Sequence, residues 1–130
     1  MTALVDIELE LIGRGTARFP AAVVRDELDN RLLEELPTIQ IQQVSAGSED
    51  GLRLARMLVD IDVYAATRAD AIGLAGEVHA WVTRELRGSA SATAVIGRTA
   101  ALALPATRPY ENTALRRVGA TYEIYCHPVA

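Results

Sequence analysis

Apolar and polar residues alternate along residues 58–65, and helical spacing begins soon afterwards, at Thr67. The alternation predicts a long strand with one apolar face, on which Val59, Ile61, Val63 and Ala65 lie. Thr67 can cap a following helix, and Gly88 can end it after two arginines that suit its C-terminus. The helix is therefore expected from Arg68 to Arg87. Its predicted core residues are Ile72, Ala75, Val78 or His79, Val82 and Leu86, with Trp81 at the flank.

Strand patterns elsewhere predict two hairpins. Residues 38–44 are expected to pair with residues 52–66 across a polar loop at 45–51. Residues 93–104 are expected to pair with residues 115–127 across a loop at 105–113. On that last strand, one face is predicted to hold Val118, Ala120, Tyr122, Ile124 and Cys126.

The segments before the first hairpin are shorter. A short extended piece is expected at 22–28, and one or two helical turns at 29–36, because Pro37 stops a helix. Residues 4–12 alternate in the way of a strand, although a helix also fits, less cleanly. Residues 13–15, Gly-Arg-Gly, are interpreted as a plain turn that ends this first element, because they lack the further residues of a phosphate-binding loop.

Together these elements predict an α+β fold in a single domain, 1–130. We expect a two-layer sandwich in which a mainly antiparallel sheet of about four strands carries one long helix. Aromatic residues are only 5% of the chain, so its core must consist largely of Ala, Val, Leu and Ile. Such a core leads us to expect that part of the burial comes from other subunits.

Charge and cysteine content argue against several classes of protein. The net charge is −4, and all 13 basic residues are arginines. An acidic chain of this kind lacks the clustered positive charge of a nucleic-acid binder. Cys126 is the single cysteine, so no intrachain disulfide or CxxC metal site is possible. Acidic residues interrupt the N-terminal apolar pattern, so we expect no signal peptide, and no stretch is long enough to cross a membrane.

No catalytic or cofactor-binding arrangement is apparent, and the chain is predicted not to be an enzyme. Asp60 and Asp62 share a strand face, which we interpret as a solvated or interface side, because no third acidic ligand accompanies them. His79 lacks a His or Cys at metal-ligand spacing and is expected to be a packed, hydrogen-bonded histidine. Cys126 is expected to be a small buried hydrophobe.

The C-terminal hairpin combines arginine and tyrosine, which protein interfaces enrich. A solvated hairpin with ordinary surface arginines is the alternative. The candidate subunit-interface residues are Arg98, Arg108, Tyr110, Arg116, Arg117 and Glu123.

The chain resembles the small tail-terminator (tail-completion) proteins of long-tailed bacteriophages, especially of actinobacterial phages. The resemblance lies in the order and local pattern of four segments between roughly Ala22 and Cys126. These are Val24-Arg25-Asp26-Glu27-Leu28, Leu36-Pro37-Thr38-Ile39-Gln40-Ile41, residues 59–68 with the helix after them, and Arg108-Pro109-Tyr110 running on to residues 116–124. The stretch 14–19 departs from the family's pattern, because it is longer and more basic than that pattern leads us to expect.

The resemblance implies a virion protein, assembled in the host cytoplasm, that forms a hexameric ring. The ring would cap the finished tail tube, bind the tube protein and the connector of the head neck, and let DNA pass without specific binding. It also implies a short N-terminal helix, contrary to the alternation in residues 4–12. An acidic lumen would keep DNA from adhering, and the candidate lumen acids are Glu34, Glu35, Asp60 and Asp62. The alternatives are a head–tail connector and, in another class, a small ligand-binding regulatory dimer.

Overall fold

A computed structural model of the chain describes residues 4–44, 47–49 and 54–129. It contains two helices and six strands. They are α1 (Ile7–Arg18), β1 (Val23–Arg25), β2 (Thr38–Gln43), β3 (Ser48–Glu49), β4 (Ala55–Ala65), α2 (Arg68–Ala80), β5 (Ala94–Arg108) and β6 (Arg116–Pro128). A 3₁₀ turn at Leu32–Glu34 precedes β2, and a π turn at Trp81–Glu85 continues α2.

The strands form one sheet in the order β1-β2-β4-β6-β5, with the two-residue β3 paired to β4. β1 runs parallel to β2, and the remaining pairs are antiparallel. The predicted α+β fold and both predicted hairpins, β2 with β4 and β5 with β6, are confirmed. The sheet exceeds the four expected strands because the extended piece at 22–28 joins it as an edge. Most of the hairpin loop expected at 45–51 lies outside the described residues.

The first element is the short helix that the resemblance implies, which is confirmed, and the strand favoured by the alternation in residues 4–12 is wrong. The Asp6 side chain caps α1 by accepting a hydrogen bond from the backbone N–H of Leu9 at 3.1 Å. Ile7, Leu11 and Gly15 are buried at four-residue intervals, which is a helical stripe that the alternation concealed. The predicted turn at 13–15 is also wrong, because α1 continues through it to Arg18.

Gly15 lets α1 lie close to the sheet and to α2. A Cβ at this position would be 3.2 Å from a methyl of Val24 and 3.4 Å from the ring of Trp81. The Trp81 ring also makes an edge-on contact with Phe19, at 5.5 Å between ring centroids. Trp81 is therefore buried between the two helices, and its predicted place at the helix flank is wrong.

The cap predicted for α2 is confirmed: the Thr67 hydroxyl accepts a hydrogen bond from the N–H of Asp70 at 3.2 Å. The predicted core position of Ile72 is wrong, because its side chain is 40% exposed and Ala71 is buried instead. The π turn then shifts the phase of the helix, so that the consecutive residues Trp81 and Val82 are both buried. Gly88 has a positive φ of 74°, as expected for the residue after a helix end.

The core lies between the two helices and one face of the sheet. All five residues predicted for the inner face of β6 are buried there, which confirms that prediction. β5 is longer than expected, because it continues through Pro105 to Arg108, where a loop was predicted. Register shifts after Ile96, Ala101 and Ala103 loosen its pairing with β6, and an outer strand tolerates a proline that donates no hydrogen bond.

Candidate functional site

A buried carboxylate holds together the sheet face that points away from the helices. Asp62 on β4 is only 1% exposed. Arg117 on β6 donates to both of its oxygens, from Nε to Oδ1 and from Nη2 to Oδ2, each at 3.1 Å. Arg108 on β5 adds a bond from Nη1 to Oδ1 at 3.2 Å. Two guanidinium groups thus share one carboxylate, and the hydrogen bond to Asp62 raises the pKa of Arg117 further above its usual range.

Gly119 makes room for this cluster. It lies opposite Asp62 in the register of β4 and β6. A Cβ at this position would collide with Oδ1 of Asp62 and with the side chain of Arg108. Our sequence reasoning missed the cluster, although a glycine inside an otherwise regular strand is a known signal of close approach by another group.

The neighbouring carboxylate differs from Asp62. Asp60 is half-buried and accepts a hydrogen bond of 2.5 Å from the hydroxyl of Thr121. Of the two alternatives, a solvated or an interface side, the solvated one is therefore wrong for Asp62. Because its charge is paired within the subunit, Asp62 presents no free carboxylate to a lumen.

The other two candidate lumen acids lie on or beside the 3₁₀ turn. Glu34 forms an exposed ion pair with Arg31 at 3.4 Å, and the half-buried Glu35 pairs with Arg25 at 3.1 Å. Glu34 is thus exposed, whereas Glu35 and Asp60 are half-buried. Their place in a lumen stays a prediction.

Tyrosine packing fixes the loop that joins β5 and β6. The Tyr64 ring lies 5.2 Å from the Tyr110 ring, edge to face, and Leu32 and Leu115 pack into the same small cluster. The Tyr64 hydroxyl donates to Oε1 of Gln40 at 2.9 Å, and burial raises its pKa to about 12. Tyr110 thus has a partner within its own subunit.

The candidate interface residues do not form one free set. Arg108 and Arg117 are committed to Asp62, and Glu123 pairs with Arg56 at 2.5 Å. Arg116 is exposed and donates to the backbone carbonyl groups of its own hairpin. Arg98 is exposed on β5, without an ion pair among the described residues.

His79 and Cys126 have the structural roles expected of them. Nδ1 of His79 lies 2.9 Å from the hydroxyl of Tyr122, in a part-buried contact between α2 and the sheet. Cys126 is fully buried, and burial raises the pKa of its thiol to about 11. Within the part of the chain that the structure describes, no group of three or more His, Cys, Asp or Glu side chains could hold a metal ion.

Among the described residues, exposed apolar side chains include two surfaces to which sequence reasoning assigned no role. The first, which we call the β5 patch, consists of Leu102 and Leu104, the latter 70% exposed. The second, the α1 groove, has a volume of about 710 Å³ and lies between α1 and the adjoining ends of β5 and β6. Leu9, which is 68% exposed, and Val129 contribute its apolar lining. Isolated surface leucines are ordinary, but such clustered ones mark interaction surfaces.

Ion pairs and hydrogen bonds stiffen one wall of the α1 groove. Glu10 pairs with Arg14 at 2.6 Å and accepts a bond of 2.6 Å from the hydroxyl of Thr93. Arg14 also donates to Ser89 and to the carbonyl oxygen of Ala94. Burial alone would raise the pKa of Glu10, but these hydrogen bonds outweigh it and lower the pKa. The groove is therefore built before any partner arrives.

No helix within the described ranges is long and apolar enough to span a membrane. In comparisons with known proteins, no family model matches this chain and no curated protein sequence matches it.

Proposed function

We propose that this chain is a structural subunit of a bacteriophage tail, a tail terminator whose copies close into a ring on the completed tube. It would act by assembly and not by catalysis, and would form the joint with the head neck. The observation that carries the proposal is the pair of separate apolar surfaces, the β5 patch and the α1 groove. The resemblance in the sequence supplies the phage context.

The two surfaces lie far apart on one subunit. Thr93 lines the α1 groove, and Leu104 follows it by eleven residues along β5. At about 3.3 Å per residue, an extended strand would place them roughly 35 Å apart, and the register shifts shorten this somewhat. Such a separation favours contact between unlike surfaces of neighbouring copies.

Contact between unlike surfaces has a geometric consequence. A head-to-tail contact generates a closed ring when the rotation between neighbours closes, whereas a two-fold dimer buries one surface against itself. A ring, hexameric as the resemblance implies, suits a tail tube, and a net charge of −4 per chain suits a channel through which DNA slides without adhering. The tube protein and the neck connector would be its other partners.

The assembly and the role need separate measurements. Native mass spectrometry and negative-stain microscopy of the purified chain should show a ring. Deletion of the gene from the phage or prophage that carries it should give filled heads with tails of uncontrolled length. Tails of normal length that fail to join heads would instead identify a head–tail connector, and a dimer that binds a metabolite would contradict a structural role.

A further inference from the structure

We infer that the β5 patch of one copy docks into the α1 groove of the next copy. The inference rests on the proposed ring and names the surfaces that would form it. Leu102 and Leu104 would enter the groove beside Leu9 and Val129. The occupant of the groove is thus a second copy of this chain.

Apolar complementarity is the first argument. The leucines of the β5 patch project from an outer strand, whereas the α1 groove is concave and has room for such side chains at about 710 Å³. Burying both leucines of the patch in the groove would remove apolar surface from water at every contact of a closed ring.

The irregular edge of β5 favours side-chain docking over strand addition. Three register shifts and Pro105 interrupt the strand near the leucines. An interrupted edge cannot offer a continuous row of backbone groups to a neighbouring strand. A partner must therefore recognise the side chains that project from it.

Charge complementarity is the second argument. β5 carries Arg98 and Arg108 and no acidic residue. Asp6 and Glu10 line the α1 groove together with Arg14. Glu10 is paired with Arg14, whereas Asp6 at the start of α1 is exposed. The exposed Arg98, which has no ion pair among the described residues, would then meet Asp6 of the next copy.

A second groove, of about 490 Å³, lies beside the start of α2 and also carries two acids, Asp70 and Glu77. Its lining is mainly alanine, glycine and proline together with two leucines, Leu36 and Leu74, that are only partly exposed. It therefore offers less apolar surface to a leucine-bearing strand than the α1 groove does. The experiment below distinguishes the two receptors.

The test uses two variants, each defective in one surface. Leu102→Asp with Leu104→Asp removes the β5 patch, and Leu9→Asp places a charge in the apolar lining of the α1 groove. Each variant alone should be monomeric by native mass spectrometry and sedimentation, because every copy in a ring needs both surfaces. Mixed in equal amounts, the two should form a one-to-one heterodimer, since one intact patch then meets one intact groove.

Matched controls separate this contact from general effects. Leu33→Asp changes an exposed leucine outside both surfaces and should leave the ring intact. Arg98→Glu should weaken assembly roughly tenfold or more, whereas the same reversal at the exposed Arg87 should not. Circular dichroism should be unchanged in all variants, because each altered side chain is exposed. If an aspartate variant fails to fold, the corresponding Leu→Ser variant takes its place.

Rings formed normally by Leu9→Asp would overturn this inference and leave the proposed function standing, with the receptor to be sought at the second groove. Dimers formed by Leu9→Asp alone would show that the β5 patch binds itself, which also overturns it. A wild-type chain that stays monomeric at every concentration would count against both this contact and the proposed ring. The contact would be established if the mixture gave heterodimers while each variant by itself stayed monomeric.

Discussion

Neutralising Asp62 is the sharpest test of how this sheet is held together. Asp62→Asn keeps the size of the side chain but removes its charge. The amide of Asn has one oxygen that accepts and one nitrogen that donates, so it could accept only one of the two hydrogen bonds from Arg117. Arg108 would lose its only carboxylate partner among the described residues. Two guanidinium groups would be left without a counter-ion.

The burial of the ion pairs sets how much free energy of unfolding Asp62→Asn should lose. Removing one partner of a buried ion pair costs about 3–5 kcal/mol. Here the arginine side chains are 26% and 27% exposed, so water recovers part of their hydration, and we expect about 2–3 kcal/mol. With an unfolding entropy of about 2.1 cal/mol/K per residue over 130 residues, this lowers the Tm by about 7–11 °C.

Thermal and urea unfolding, followed by circular dichroism at one protein concentration, would measure this loss. Asp60→Asn is the matched control, because its remaining carbonyl oxygen can still accept from Thr121 and its loss should stay under about 1 kcal/mol. If Asp62→Asn proved no less stable than Asp60→Asn, the cluster would contribute nothing net and the reasoning would be refuted.

Three further predictions concern local features. Gly119→Ala should cost about 2 kcal/mol in urea unfolding, because its Cβ would collide with Asp62, whereas Gly76→Ala, in open space on α2, should be neutral or stabilising; equal effects would contradict this. Thr67→Ala should cost about 1 kcal/mol by loss of the α2 cap, and an unchanged urea midpoint would show that the cap is dispensable. Cys126, whose pKa burial raises to about 11, should not react with Ellman's reagent at pH 8 until the chain is unfolded; rapid reaction of the native protein would show that the thiol is accessible.

The fold was largely predictable where periodicity was long and unambiguous. β4, the start of α2 and the inner face of β6 each carry a regular pattern over many residues, and the structure confirms them. The first helix was not predictable by alternation, because acids at positions 6, 8 and 10 imitate a strand while serving as a cap and as the first turn of a helix. The same acids favour a helix N-terminus by interacting with its dipole.

The candidate site was less predictable, because it depends on register. Asp62 and Gly119 are 57 residues apart in the chain, and only the pairing of β4 with β6 places them opposite each other. Arg108 was assigned to a loop, yet it reaches Asp62 as the last residue of β5. The exposed leucines of β5 were also hidden, because a run of Ala and Leu does not show which side chains a bulged strand turns outward.

The π turn at Trp81–Glu85 has a consequence for how this chain tolerates changes in length. A π turn holds one more residue than the α turn it replaces, so deleting one residue here would restore regular helical hydrogen bonds. The residues after the deletion would keep nearly the same rotation relative to α2, because a π turn spreads its extra residue over about the angle that an α turn covers. A deletion within the regular part of α2 has no such extra residue to remove and would rotate everything after it by about 100°. Deletion of the exposed Arg84 should therefore damage the protein less than deletion of one residue from α2 itself.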